Sequence, residues 1–147
     1  HYGAVSQRCA TTGPLSTTIA DAHDPAWLAR TDETRAYHAG LRDAHVPRAP
    51  IWVTETGVGG ASSGAVRATR TRDLAVQCAA QAGRLERWAA DPRVQAVFQY
   101  TFREDAAYPV GLADARLQAL YPTHRLWKAW ADARGQAPPR PAGCGAA

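Results

Sequence analysis

Short apolar runs alternate along the chain with longer amphipathic stretches, and the two patterns predict different elements. IWVTE (51–55) and VQAVFQYTF (94–102) are β-branched and aromatic runs bounded by turn-forming residues, as buried parallel strands require. TDETRAYHAGLRDAHV, beginning at Thr31, places Tyr37, Leu41 and Ala44 on one helical face. Thr31 suits its N-cap, Asp32 and Glu33 favour the positive N-terminal end, and Pro47 and Pro50 stop it. A longer helix is predicted from Thr71 to Ala90, with Leu74, Cys78, Ala82, Leu85 and Ala89 as its stripe and Trp88 beside them. The last helix starts at Pro122, is lined by Leu126, Trp127, Trp130 and Ala133, and closes at Gly135.

Residues 1–30 are less regular. HYGAV reads as the tail of a strand, SQRCATTGPLSTT as a long loop, and Asp24-Pro25 as the start of a short helical turn. Strands therefore alternate with helices of crossover length, which predicts parallel βα units and an α/β fold class. A closed eight-stranded barrel takes about 250 residues, and an open sheet of so few strands would be thin. We therefore expect an incomplete domain over residues 1–135, followed by a disordered Pro/Gly-rich tail over 136–147.

Composition narrows the function classes. The 147 residues begin with His1 and include no Met, so we expect a processed product, a fragment or a partial reading frame. No apolar run approaches the ~18–20 residues of a membrane-spanning helix. The net charge is +4 and the pI about 9.3, but the arginines are scattered among Ala and acidic residues and Lys128 is the sole lysine. That dispersion argues against a nucleic-acid partner. Cys9, Cys78 and Cys144 match no zinc or redox spacing. Cys78, on a helical stripe, reads as a small buried hydrophobe. Cys9 and Cys144 fall in loop-like sequence, where a disulfide, including one to a cysteine in a missing segment, stays open.

In parallel α/β architectures chemistry collects at the C-terminal ends of strands. One such end carries Thr54-Glu55-Thr56-Gly57, the other Gln99-Tyr100-Thr101-Phe102-Arg103-Glu104-Asp105. Glu55 is the outlier, because a carboxylate closing an apolar strand is costly unless hydrogen-bonded or used. The bland alternative is a loop-bracing Glu. The loop that follows, with Gly57, Gly59, Gly60 and Gly64, leaves space above the carboxylate for a ligand. It fits neither G-x-G-x-x-G nor a P-loop, so a nucleotide site is disfavoured. Tyr100 and Phe102 alternate along the second strand and share a face, either as core or as the wall of a sugar subsite. His38, His45 and His124 read as surface or capping residues, whereas His1 and Tyr2 stand at a strand end. No serine sits in a G-x-S-x-G elbow.

These segments resemble a known family. IWVTETGVGG resembles the seventh-strand signature of the glycoside hydrolase clan whose catalytic carboxylates end barrel strands four and seven, a clan that includes cellulase- and xylosidase-like enzymes. VFQYTFREDAAYPVGLADA followed by YPTHRLWKAWADA is similar to its eighth strand and closing helix, and His1-Tyr2-Gly3 to the end of its sixth strand. The resemblance spans residues 1–134 and implies a partial (β/α)8 barrel, from the end of strand six through helix eight. It implies that Glu55 is the nucleophile of a retaining glycosidase, that His1, Tyr2, Tyr100 and Phe102 contact a carbohydrate substrate, and that no cofactor is needed. The acid/base Asn-Glu of strand four has no counterpart; Glu104 and Asp105 follow the eighth-strand segment, where the clan does not place its acid, and read as loop polar residues or outer-subsite contacts. Missing N-terminal barrel strands are thus an implied partner. The alternative is a relic or carbohydrate-binding fragment without turnover.

Overall fold

The computed structural model describes residues 33–59, 67–106, 109–134 and 136–145. In chain order these form α1 (Glu33–Asp43), β1 (Ile51–Thr56), α2 (Thr71–Ala90), β2 (Val94–Gln99) and α3 (Pro122–Asp132). His1, Tyr2, Cys9 and the strand tail, loop and helical turn expected before residue 31 lie outside the described residues. The predicted helix bounds agree with the observed ones to within two or three residues, and those of α2 coincide. β2 is shorter than its apolar run. It ends at Gln99, and Tyr100 and Phe102 belong to the loop beyond.

β1 and β2 pair in parallel as neighbours. Ile51 and Val53 point from β1 into a core built with Cys78, Ala82, Leu85 and Trp88 of α2 and Leu126 and Trp130 of α3. Tyr37 and Leu41 of α1 close its margin, while Ala44, expected on the same face, is exposed beyond the helix end. Among the described residues no helix packs on the opposite face of the sheet. Trp52 is 60% and Phe98 49% exposed, and their rings lie 6.4 Å apart. Parallel sheets normally have both faces covered. Two parallel strands with flanking helices are common to barrels and open sheets. Among the described residues no helix is long and apolar enough to cross a membrane.

The Pro/Gly-rich tail, for which composition predicts disorder, is instead docked through residue 145. Cys144 forms a disulfide with Cys78, with Cα atoms 4.9 Å apart. The buried hydrophobe expected at Cys78 is thus one half of a crosslink, and Cys144 is itself buried in the core. Arg140 makes a forked pair with Glu86, Nε and Nη2 each 2.9 Å from a carboxylate oxygen. Arg125 donates to the Ala142 carbonyl. The Arg140 guanidinium draws the Glu86 carboxyl below its ordinary value. An exposed ion pair contributes only ~0.2–1 kcal/mol, whereas ordering one residue costs about 1–2 kcal/mol. The polar contacts alone are therefore too weak to hold the segment.

A second tie joins α1 to the end of α2. The His38 ring nitrogen lies 2.6 Å from Asp91 Oδ2, and Arg93 N–H donates to Asp91 Oδ1. Burial pushes the Asp91 carboxyl up, but the Arg93 amide, the His38 ring and the Arg93 charge together outweigh it and hold the carboxyl below its ordinary value. A carboxyl depressed in the folded state stabilises above its unfolded pKa, near 3.9 for Asp, and loses that contribution as pH falls through the folded value. Denaturant midpoints should therefore fall below about pH 4, and less steeply for Asp91→Asn than for the parent chain.

Candidate active site

Strict alternation along β1 would put Glu55 on the helix-facing side with Ile51 and Val53. The strand does not keep that phase. Val53 pairs with Val97 and Thr56 with Gln99, so three steps on β1 oppose two on β2, a β-bulge. With the register shifted, Thr56 takes the fully buried position and Glu55 stays half-buried, outside the apolar cluster, at the C-terminal end of a parallel strand. Tyr100 lies at the same end of the sheet, where its N–H donates to the Thr56 carbonyl at 2.7 Å.

The glycines after Glu55 serve a different purpose from the one expected. Gly57 and Gly59 are buried, not open. A Cβ at Gly57 would stand 2.7 Å from the Tyr100 carbonyl oxygen and 2.8 Å from Val110 Cβ, and one at Gly59 would overlap the Pro109 carbonyl. These glycines let the loop after β1 press against the loop after β2. The space a ligand would need is not supplied by them. Gly60 and Gly64 lie outside the described residues.

Tyr100 and Phe102, expected on one strand face, are past the strand. Tyr100 is half-buried and joined to Thr101 by a cis peptide bond. Phe102 is 55% exposed, which removes it from the core, and its ring meets His124 edge-on at 6.0 Å. The Gln99 amide pins this loop, donating to the carbonyls of Tyr100 and Val110 at 2.9 Å each. Glu55, Tyr100 and Phe102 therefore all belong to the end of the sheet where loops leave the strands. His1 and Tyr2 lie outside the described residues.

Arg67, not singled out by its sequence context, is the organising residue of this rim. Its side chain is 1% exposed. Nε donates to Gln77 Oε1 (2.8 Å), Nη1 to Glu104 Oε2 and the Gly111 carbonyl (2.7 Å each), and Nη2 to the Val58 carbonyl (2.7 Å). The guanidinium also stacks 4.0 Å over the Tyr121 ring. Burial, then the neighbouring Glu104 carboxylate, pushes the Tyr121 phenol up. One cation thus joins the loop three residues beyond Glu55 to the loop after β2, to α2 and to the start of α3. Arg84, fully buried on α2, reaches the Gly57 carbonyl at 3.3 Å. α2 therefore presents Gln77, Gln81 and Arg84 inward beside its apolar stripe. Glu104 is thus paired with Arg67. Among the described residues no group of His, Cys, Asp and Glu side chains is placed to hold a metal ion.

No family model matches the chain, and neither the curated proteins nor the solved structures include a detectable relative.

Proposed function

We propose that the chain is the C-terminal section of a retaining glycoside hydrolase acting on a β-linked oligo- or polysaccharide, with Glu55 as nucleophile. The observation that carries this reading is the bulge that withdraws Glu55 from the helix-facing core at a parallel strand's C-terminal end. Bulges recur beside active sites because they re-aim a side chain there, and such strand ends are where barrel enzymes keep their catalytic groups. In this reading Glu55 attacks the anomeric carbon, the glycosyl–enzyme ester forms as the leaving oxygen takes a proton from an acid, and water then releases the sugar. Tyr100 and Phe102 would wall the sugar subsite, with His1 and Tyr2 contributing from the preceding strand end. The acid comes from strands upstream of residue 1, which would also cover the Trp52–Phe98 face.

A non-catalytic carbohydrate-binding or relic fragment is the second reading. It is favoured by the ion pair that Glu104 makes with Arg67, which ties that carboxylate of the loop after β2 into a structural network.

The genomic frame decides between them. Under the hydrolase reading it encodes roughly 150–200 further residues upstream, including an Asn-Glu pair at a strand end. The complete product hydrolyses an aryl β-glycoside, and the isolated 147-residue chain does not. A stop codon in that stretch, or the absence of the pair, leaves the second reading. Turnover by the isolated chain would refute the incompleteness.

A further inference from the structure

The docked tail has little to hold it except one covalent bond. It runs antiparallel to α2: Arg140 meets Glu86, Cys144 meets Cys78, and Gly145 lies against Ala75. Residues 136–145 include Pro138, Pro139 and Pro141, which have no N–H to donate. The Glu86–Arg140 pair and the Arg125 bond to Ala142 are both at the surface. Surface ion pairs are weak and salt-screened. Only Cys144 is buried, joining the cluster of Ala82, Leu126 and Trp130 and covering Cys78, which has no exposure at all. A turn shapes this end: Gly143 adopts φ +83°, and Cys144 N–H donates to the Pro141 carbonyl. The left-handed region favours glycine, so the chain is built to deliver the Cys144 sulfur to α2.

We propose that the Cys78–Cys144 disulfide is an oxidation-dependent latch, closing the tail over the seam of α2 and α3 when formed and releasing it when reduced. Closure is a two-electron exchange with a small-molecule disulfide such as oxidised glutathione. One cysteine thiolate attacks a sulfur of that disulfide and expels a small thiolate. The second cysteine then displaces the other small thiol, leaving the protein disulfide and two equivalents of reduced glutathione. Such crosslinks persist in oxidising compartments and are rare where thiols are kept reduced. The latched form is accordingly the form an exported protein would hold. The inference rests on the tail and is independent of the role of Glu55.

Hydrogen exchange on the full chain tests it, in a Cys9→Ser background so that the remaining thiols are unambiguous. The oxidised chain should have an intact mass lower by two hydrogens and should resist alkylation at Cys78 and Cys144. After reduction by a phosphine, the Cys144 amide, which donates to the Pro141 carbonyl, should exchange roughly tenfold faster or more, while the amides of β1 and β2 keep their protection. Unchanged tail exchange would overturn the latch, because the surface contacts would then suffice. Collapse of protection in β1 and β2 as well would also overturn it, making the bond a staple of the whole fold. Oxidised Arg140→Ala provides the converse measurement: its tail should stay protected, and loss of that protection would transfer the role from the disulfide to the ion pair.

Discussion

Under the proposed hydrolase reading, replacing Glu55 with Gln in the full-length protein should lower turnover by several orders of magnitude, on the order of 10³-fold or more, equivalent to about 4 kcal/mol of transition-state stabilisation. The amide keeps the volume of the carboxylate and most of its hydrogen-bonding capacity, but it is a poor nucleophile for the anomeric carbon. The fold should survive, because Glu55 is half-buried and outside the apolar cluster. Circular dichroism and the denaturant midpoint would check that. The choice of substrate sharpens the result. An aryl glycoside with a very good leaving group relieves the need for an acid and leaves the need for a nucleophile intact, so it should not restore activity to Glu55→Gln. Activity surviving the substitution would return Glu55 to a loop-bracing role.

Arg67→Met should be the most destabilising single change among the described residues near the rim, by about 3–5 kcal/mol. The methionine fills part of the volume and leaves the Glu104 carboxylate, the Gln77 amide and the carbonyls of Val58 and Gly111 without their common donor. Buried polar groups stripped of partners each carry a desolvation penalty of ~1–3 kcal/mol. Arg67→Lys should recover only part of the loss, since an ammonium has no planar fork and cannot span four acceptors. Combining Arg67→Met with Glu104→Gln should cost less than the sum of the single changes, because the second removes the stranded charge. Urea midpoints of the four chains read this directly. Additive losses would show that the pair is not coupled.

The elements were legible and the details of the site were not. α2 announced itself through Leu74, Cys78 and Leu85 at helical spacing and through Asp91-Pro92 at its end. IWVTE was recognisable as a strand because its composition suits little else. By contrast, Arg67 and Arg84 resemble every other arginine of an Arg-rich chain, and their burial depends on acceptors up to 44 residues away. Gln77 is buried because α2 faces Arg67 and the Ala68 carbonyl of the preceding loop as well as the core. Gly57 and Gly59 suggested openness, since a glycine is equally suited to leaving room and to allowing close approach. The partner surface, here Tyr100, Pro109 and Val110, decides which. Cys144 was hidden by its low-complexity surroundings, because a proline-rich segment can be ordered by one bond that its composition does not disclose.

The bulge at the end of β1 has a consequence for how this segment tolerates change. The orientation of Glu55 is encoded by the number of residues between Val53 and Thr56 set against the number between Val97 and Gln99, and only weakly by which residues they are. Substitutions that leave the count intact should leave Glu55 outside the apolar cluster. Deleting one residue there would restore the ordinary two-residue rhythm and swing whatever stands in that place back toward α2. The segment should therefore drift freely in spelling while remaining intolerant of any change in length.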